Sequence, residues 1–128
     1  QVLYNEVSDV PHVAVDLSGN NHNVSYNNWT RISFECGDCG AIMSARSFTF
    51  YGNVISHNRF MHVASAAEFT KLENVRAIFL DDHVSGFTIS HNWFYNCSDA
   101  ILIGGGRQNK VHDNEFHHCI TCVYFSLR

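Results

Sequence analysis

The sequence of 128 residues predicts an all-β protein, a right-handed single-stranded parallel β-helix of about five coils, from two observations. The first is a six-residue segment, ISHNRF at 55–60, that returns as ISHNWF at 89–94 with one substitution. The second is that three weaker copies keep the same order of an apolar residue, an Asn and a second apolar residue, at 2–7, 24–29 and 111–116. A segment that recurs at intervals of 22–34 residues is typical of a solenoid, in which each copy belongs to one coil.

Each copy has buriable residues at alternating positions, as a half-buried strand does, and no helical hydrophobic period appears anywhere. A second strand is predicted to follow each copy, and its inward positions in the first coil are expected to be Val13 and Val15, level with Ile42 and Ser44. The predicted second strands are 13–15, 41–44, 77–80, 100–103 and 123–125.

The repeated Asn is predicted to mark one corner of every coil. Asn tolerates the left-handed backbone conformation that a tight turn needs, and its amide can bond the same Asn in the next coil to form a ladder. His57 and His91 directly precede two of these Asn and are expected to stack on each other. The predicted ladder residues are Asn5, Asn27, Asn58, Asn92 and Asn114.

The repeat also predicts the organisation of the chain. Two of the four Asn spacings exceed 22 residues, so residues 1–128 are interpreted as one domain with insertions near 33–40 and 64–76. Neither end carries a polar cap, so we expect these to be internal coils of a longer β-helix whose remaining coils pack on both ends. A leucine-rich repeat is disfavoured because its Leu-x-x-Leu-x-Leu frame is absent, and a sandwich would not keep one Asn-centred frame.

Composition excludes several partners. A net charge of −4 with only 8 Lys and Arg predicts no nucleic-acid partner, and the short apolar runs predict no membrane partner. No cofactor is predicted, although the residues leave calcium open. Three glycosylation sequons, at Asn23, Asn28 and Asn96, modestly favour a secreted or extracellular location.

The five Cys include two Cys-x-x-Cys pairs, Cys36/Cys39 and Cys119/Cys122. A shared zinc site is not predicted, because the pairs belong to the second and fifth coils, about 14 Å apart along the axis. Cys97 and Cys119 are expected to be neighbours in an inward column, as stacked core thiols or as a disulfide. A local disulfide between Cys36 and Cys39 also remains open.

Polar residues gather just after the second strands, in DDHVSG at 81–86, GGGRQN at 104–109 and SARS at 44–47. Arg46 is expected to lie level with Asp82. Asp16 is expected in the column of Asp81, about 9.6 Å away, near the carboxyl separation of inverting glycosidases. Asp and Gly are also ordinary turn residues, so a purely structural role is the alternative. The candidate catalytic residues are Asp81 and Asp82, and the candidate substrate-binding residues are Arg46, His83 and Arg107.

The segments GAIMSARSFTFYGNVISHNRF, AIFLDDHVSG, FTISHNWFYNC and AILIGGGRQNKVHDNEFHHC together resemble the right-handed parallel β-helix repeat proteins of the pectate-lyase-like superfamily. The resemblance covers 40–122 strongly and the first coil weakly. It implies a secreted carbohydrate-active protein that holds a glycan in a groove along one sheet. Asp81, Asp82 and Arg107 match the family's motif. Ala45-Arg46-Ser47 departs from it, because relatives more often have a segment that resembles Gly-Arg-Asp at this position.

We therefore expect a domain that acts on a polysaccharide or glycan, as a glycoside hydrolase or a polysaccharide lyase. Asp81 or Asp82 would be the general acid/base, and the two arginines and His83 would position the sugar. Residues of the 61–76 region would form a groove wall. The alternative is a non-catalytic secreted β-helix that binds glycans or serves as a structural domain.

Overall fold

The computed structural model describes residues 1–66 and 74–127, and this part of the chain consists of short strands and connections without a helix. It therefore has no helix with the length and hydropathy needed to cross a bilayer. The first two coils are β1 (Val2–Leu3), β2 (Glu6–Val10), β3 (Val15–Asp16), β4 (Asn23–Ser25), β5 (Asn28–Ile32) and β6 (Asp38–Ser44). The next two are β7 (Asn53–Ser56), β8 (Arg59–Met61), β9 (Asn74–Leu80), β10 (Phe87–Ser90), β11 (Trp93–Tyr95) and β12 (Asp99–Ile103). The fifth is β13 (Lys110–His112), β14 (Glu115–His117) and β15 (Thr121–Phe125).

Each strand pairs in parallel with the strand three places further along the chain. The result is three sheets of five strands, in the orders β1-β4-β7-β10-β13, β2-β5-β8-β11-β14 and β3-β6-β9-β12-β15. Because every coil contributes one strand to each sheet, the chain is a parallel β-helix of five coils, as predicted.

The core is built from columns of inward side chains, in which paired residues of successive coils stack on one another. In the second sheet, Phe94 pairs with Phe60 on one side and Phe116 on the other, and the rings stack with centroids 5.0 and 5.1 Å apart. Trp29 continues the stack towards the first coil, 6.0 Å from Phe60. Trp29, Phe60 and Phe94 are fully buried, and each such side chain contributes about 1.5–3 kcal/mol relative to exposure.

The predicted ladder is present at the corner between the first and second sheets. Each amide Nδ2 donates to the Oδ1 of the next Asn, over 2.9 Å in the first two steps and 3.0 Å in the last two. From Asn27 onwards, each Oδ1 also accepts the backbone N–H of the preceding ladder Asn. The amides therefore satisfy the backbone of the turn as well as each other, which a buried corner requires.

The prediction that the ladder Asn has the left-handed backbone of this corner was wrong. It is the residue before each Asn: Tyr4, Tyr26, His57, His91 and Asp113 have φ between 53° and 60°. The Asn serves the turn through its side-chain bonds, so its tolerance of positive φ is not used here. The expected stacking of His57 on His91 is confirmed, with ring centroids 4.9 Å apart.

A second corner follows the second sheet, and the sequence pattern does not predict it. One residue per coil again has positive φ, between 51° and 58°, and these are Asp9, Arg31, His62, Asn96 and His118. Arg31 donates twice to the Asp9 carboxylate, over 2.6 Å in each bond. Because both side chains are exposed, this pair lies on the outer surface of the corner.

The register of the first coil differs from the prediction by two residues in the third sheet. Val15, not Val13, pairs with Ile42. Leu17 then lies level with Ser44, whose hydroxyl donates to the Leu17 carbonyl over 2.8 Å. Leu17 is 6% exposed, so this register buries a Leu where the predicted one would have buried a Val, and it also satisfies the one polar inward side chain.

The described residues include all of the first predicted insertion and part of the second. The first, at 33–40, corresponds to the connection 33–37 and the start of β6. Of the second, at 64–76, residues 67–73 lie outside the described residues, and residues 74–76 belong to β9.

Candidate functional site

Three loops meet at the corner that follows the third sheet, here called the third corner: residues 45–52 after β6, 81–86 after β9 and 104–109 after β12. Parallel strands end at the same edge of a sheet, so these loops are neighbours in space. Backbone bonds hold them level: Asp81 N donates to Ser44 O over 2.9 Å, and His83 N donates to Gly104 O over 2.8 Å. The five candidate site residues all lie in these loops.

Asp81 is the first residue of the middle loop, and its carboxylate faces the loop of the preceding coil. Its side chain is 12% exposed, and its Oδ2 lies 3.5 Å from Nε of Arg46, whose side chain is 75% exposed. An ion pair with so exposed a partner adds little stability. Its main consequence is to orient the Arg46 guanidinium across the mouth of the corner.

Asp82 is level with Arg46, as predicted, because Ser44 pairs with Leu80 two positions earlier. The ion pair nevertheless forms with Asp81. Asp82 is half-buried, and its Oδ1 is enclosed by the protein. The two adjacent carboxylates therefore differ in burial, since Asp81 is 8% exposed and Asp82 is half-buried.

An exposed aromatic ring, Phe48, completes the cluster, and the sequence analysis missed it. The ring of His83 stacks on Phe48 with centroids 4.6 Å apart, and Cζ of Arg107 lies 5.4 Å from the Phe48 centroid. Phe48 is 53% exposed. The loop that carries it has eight residues, whereas the loops 81–86 and 104–109 have six, and this extra length was the available signal.

The same three loops line a surface recess of about 310 Å³ next to the cluster. Tyr51, which is 59% exposed, forms one wall, and Lys110 at the start of β13 lies on another. The lining residues are Tyr51, Gly52, Gly86, Thr88, Gln108 and Lys110. The recess is thus formed by the same three loops that carry the cluster.

The triple glycine at 104–106 has a structural explanation. Gly106 has φ of 77°, and a Cβ there would overlap the carbonyl oxygen of Val84. At Gly104 a Cβ would lie 3.1 Å from the backbone nitrogen of Asp82. The loop after β12 thus packs directly on the loop that carries the carboxylates, and only glycine allows that approach.

Asp16 does not belong to this site. It pairs with Met43, which pairs with Phe79, so it lies two positions before the Asp81 column and on the strand itself. The expected placement of Asp16 in the column of Asp81, two coils away, was wrong, because it depended on the first-coil register that the burial of Leu17 overrides. The third corner offers adjacent carboxylates of one loop instead of an opposed pair.

A second set of aromatic rings, half-buried, lies on the outer face of the second sheet, and the sequence pattern did not predict it. Trp93 and Tyr95 alternate with the buried Phe94, and their rings are nearly parallel, 3° apart in angle and 5.6 Å apart in centroid. Cζ of Arg59 lies 4.8 Å from the Trp93 centroid, and the His117 ring lies 5.6 Å from Trp93. We call Arg59, Trp93, Tyr95 and His117 the outer aromatic face.

The cysteines are arranged by coil. Cys36 and Cys39 form a disulfide, and Cys97, Cys119 and Cys122 are free thiols. Cys39 and Cys122 lie on β6 and β15, three strand spacings apart, so the two pairs are on separate coils as predicted. The pKa of Cys97 is raised by its hydrogen bond to Cys119 and by burial, and the same bond lowers the pKa of Cys119 to about 6.

The sequons differ in their surroundings. Asn96 is exposed at the second corner, where its Nδ2 lies 2.9 Å from Nδ1 of His62. Asn23 and Asn28 are half-buried in strands, and Asn28 donates to Glu6 over 3.3 Å. Asn96 is therefore the most accessible of the three acceptors, and a secreted or extracellular location stays a prediction.

No protein-family model matches this sequence, and neither the curated proteins nor the solved structures contain a match. The resemblance to pectate-lyase-like proteins consequently stays a prediction from the residues. What the third corner can do must be argued from its chemistry.

Proposed function

We propose that the chain is a carbohydrate-active β-helix domain whose third corner cleaves a polysaccharide. The observation that carries this proposal is the gathering of two carboxylates, two arginines and the exposed ring of Phe48 in three consecutive loops, beside a recess that Tyr51 extends. Glycans are recognised by this combination, because sugar rings offer apolar C–H faces to aromatic rings and hydroxyl or carboxylate groups to charged side chains.

In this proposal Asp82 is the general acid/base. Its side chain is half-buried, whereas Asp81 is buried and lies beside Arg46, so of the two carboxylates it is the more accessible to a substrate. Arg46 and Arg107 would hold the hydroxyl or carboxylate groups of the sugar, and His83 would be fixed by its stack on Phe48. A carboxylate beside arginines suits both hydrolysis and β-elimination, in which a base removes a proton next to a neutralised uronate.

The test is activity on a panel of neutral and acidic polysaccharides. Reducing ends report cleavage of either type, and the ultraviolet absorbance of unsaturated products identifies a lyase. We expect Asp82→Asn to lower kcat/KM by about 10²–10⁴-fold. Asp16→Asn is the matched control, an exposed carboxylate outside the corner, and should keep wild-type activity. Full activity in the Asp82 variant would contradict the assignment.

The second candidate function is non-catalytic glycan binding, which the outer aromatic face favours. Trp93 and Tyr95 present two parallel, stacked rings on alternate residues of one strand, flanked by Arg59 and His117. This function predicts binding without products on the same panel. Trp93→Ala should then weaken binding at least about tenfold, whereas Phe48→Ala should leave it unchanged.

A further inference from the structure

A histidine and a Cys-x-x-Cys pair from neighbouring coils meet on the side of the molecule where the second sheet leads into the third. His12 lies in the connection between β2 and β3, and Cys36 lies in the connection between β5 and β6. The His12 ring nitrogen and the Sγ atoms of Cys36 and Cys39 all lie within 4.8 Å of one another. The two cysteines are 7% and 1% exposed, and His12 is exposed.

The connection that carries His12 is fixed against the one that carries Cys36. Ser33 N donates to Val10 O over 2.7 Å, and Glu35 N donates to Pro11 O over 3.0 Å. The Ser33 hydroxyl donates to the carbonyl of His12 itself over 3.0 Å. Three bonds on three consecutive residues, Val10 to His12, hold the imidazole beside the sulfurs, so the grouping is built into the coil.

We propose that this cluster is a zinc site in the reduced protein, with His12, Cys36 and Cys39 as ligands. Zinc holds thiolates at about 2.3 Å and imidazole at about 2.0–2.1 Å, so its tetrahedral ligands lie about 3.6 Å from each other. The ring nitrogen lies within 4.8 Å of both sulfurs, so it needs to approach them by about 1 Å at most, and the two sulfurs move apart once their bond is reduced. Three protein ligands leave the fourth position to solvent, as in zinc sites with an open coordination position.

The disulfide and the metal compete for the same two sulfurs. A dithiol reductant gives the Cys36–Cys39 bond two electrons and two protons, so that two thiols form and the reductant becomes a disulfide. Each thiol then loses its proton as its sulfur binds the ion. Reduction therefore opens the site, and oxidation by a disulfide such as oxidised glutathione closes it and releases the metal.

The other Cys-x-x-Cys pair, Cys119 and Cys122, does not belong to such a three-ligand group within the described residues. In the described parts of the chain, the grouping around His12 is the one set of three or more His, Cys, Asp or Glu side chains with ligand atoms this close. Cys122 is exposed on β15, and Cys119 contacts Cys97 instead. This difference supplies an internal control for thiol chemistry that lacks the histidine.

The experiment uses the whole chain, reduced with dithiothreitol, freed of reductant without oxygen, and titrated with Co²⁺ and then Zn²⁺. We expect a thiolate-to-cobalt absorption band that saturates at one ion per chain, that Zn²⁺ abolishes, and that the oxidised chain does not show. Cys36→Ser should remove the band. His12→Ala should weaken metal binding more than about tenfold, because it removes a direct ligand.

His118→Ala and Cys122→Ser, two exposed positions outside the cluster, should bind like wild type. The His12 variant should keep the wild-type unfolding midpoint in the oxidised form, since His12 is exposed, which separates loss of a ligand from loss of fold. The proposal is overturned by any of three results: no band in the reduced wild type, unchanged affinity in His12→Ala, or loss of the band in Cys122→Ser.

Discussion

Replacing the central ladder residue, Asn58, should be far more damaging than replacing the ladder residue at the end, Asn5. The side-chain oxygen of Asn58, Oδ1, accepts the backbone N–H and the side-chain amide of Asn27, over 3.0 and 2.9 Å. Its amide donates to Asn92 Oδ1 over 3.0 Å and to Val24 O over 2.9 Å. The residue is 1% exposed, so water cannot replace these partners.

The magnitude follows from the groups that Asn58→Ala would leave. The backbone N–H of Asn27 and the carbonyl of Val24 lose buried partners, and each unsatisfied buried group costs about 1–3 kcal/mol. We expect the free energy of unfolding to fall by about 3–5 kcal/mol in total. Asn5 is exposed, and its side chain accepts no ladder bond from a preceding coil, so Asn5→Ala should cost less than about 1 kcal/mol.

Urea unfolding followed by circular dichroism measures both variants. With a slope of about 2 kcal/mol per molar, the Asn58 variant should unfold about 2 M earlier than wild type. Asn58→Leu, which keeps the volume but not the bonds, should be no more stable than Asn58→Ala, so a cavity is separated from lost hydrogen bonding. Costs within about 1 kcal/mol of each other for the Asn58→Ala and Asn5→Ala variants would refute the reasoning.

Three further outcomes are expected. Gly106→Ala should lower the free energy of unfolding by more than about 1 kcal/mol, because φ is positive and the new methyl group meets a carbonyl; an unchanged urea midpoint would contradict this. The Asp9 pKa is lowered from 3.8 by its hydrogen bonds with Arg31, so the pair stabilises the fold above that pH and the benefit is lost as pH falls through the lowered pKa. Asp9→Asn should therefore unfold with a smaller change of urea midpoint between pH 6 and pH 3 than wild type does, and an equal change would count against the pair. With its pKa near 6, Cys119 should react with iodoacetamide at neutral pH before Cys122 does, and peptide mapping that finds Cys122 labelled first would exclude a thiolate there.

The coil and its ladder could be predicted from the sequence because the same kind of buried residue returns at the same position of each coil. The inward columns are filled mainly by apolar residues, Ser44 being an exception, and one corner column holds Asn in all five coils. The same periodicity cannot say which of two adjacent positions has the left-handed backbone, since His57 and Asn58 recur at the same interval. That is why the turn was predicted correctly and its positive φ was given to the wrong residue.

The third-corner residues were predicted only in part, for a related reason. Asp81, Asp82 and Arg107 follow strands whose register is set by buried columns, so their loops could be placed. Phe48 lies four residues into an irregular loop, where no column fixes a position. Asp16 was misplaced because β3 is two residues long and offers too little pattern to choose between registers two residues apart.

His12 shows a different limit. Its nearness to Cys36 depends on hydrogen bonds between two connections of different length, and nothing in the spacing along the chain encodes that crossing. From the sequence, a zinc site was weighed only for the two Cys-x-x-Cys pairs together, and His12 was not among its candidate ligands. Sites formed between connections require coordinates, whereas sites formed at the ends of columns can be reached from the sequence.

The corners of the coil differ in how many of their side chains the fold itself uses. At the ladder corner two residues separate the strands, as Tyr4 and Asn5 do, and both side chains are used by stacking or by the ladder. The third corner has six to eight residues per coil, and the fold uses some of their side chains, since Val84 packs in the core and Asn109 accepts the backbone N–H of Phe87. Arg46, Phe48 and Arg107 are exposed there, so they can gather without disturbing an inward column. The glycan site proposed for this corner would therefore cost the fold little, and substitutions of these three exposed side chains should leave the unfolding free energy nearly unchanged.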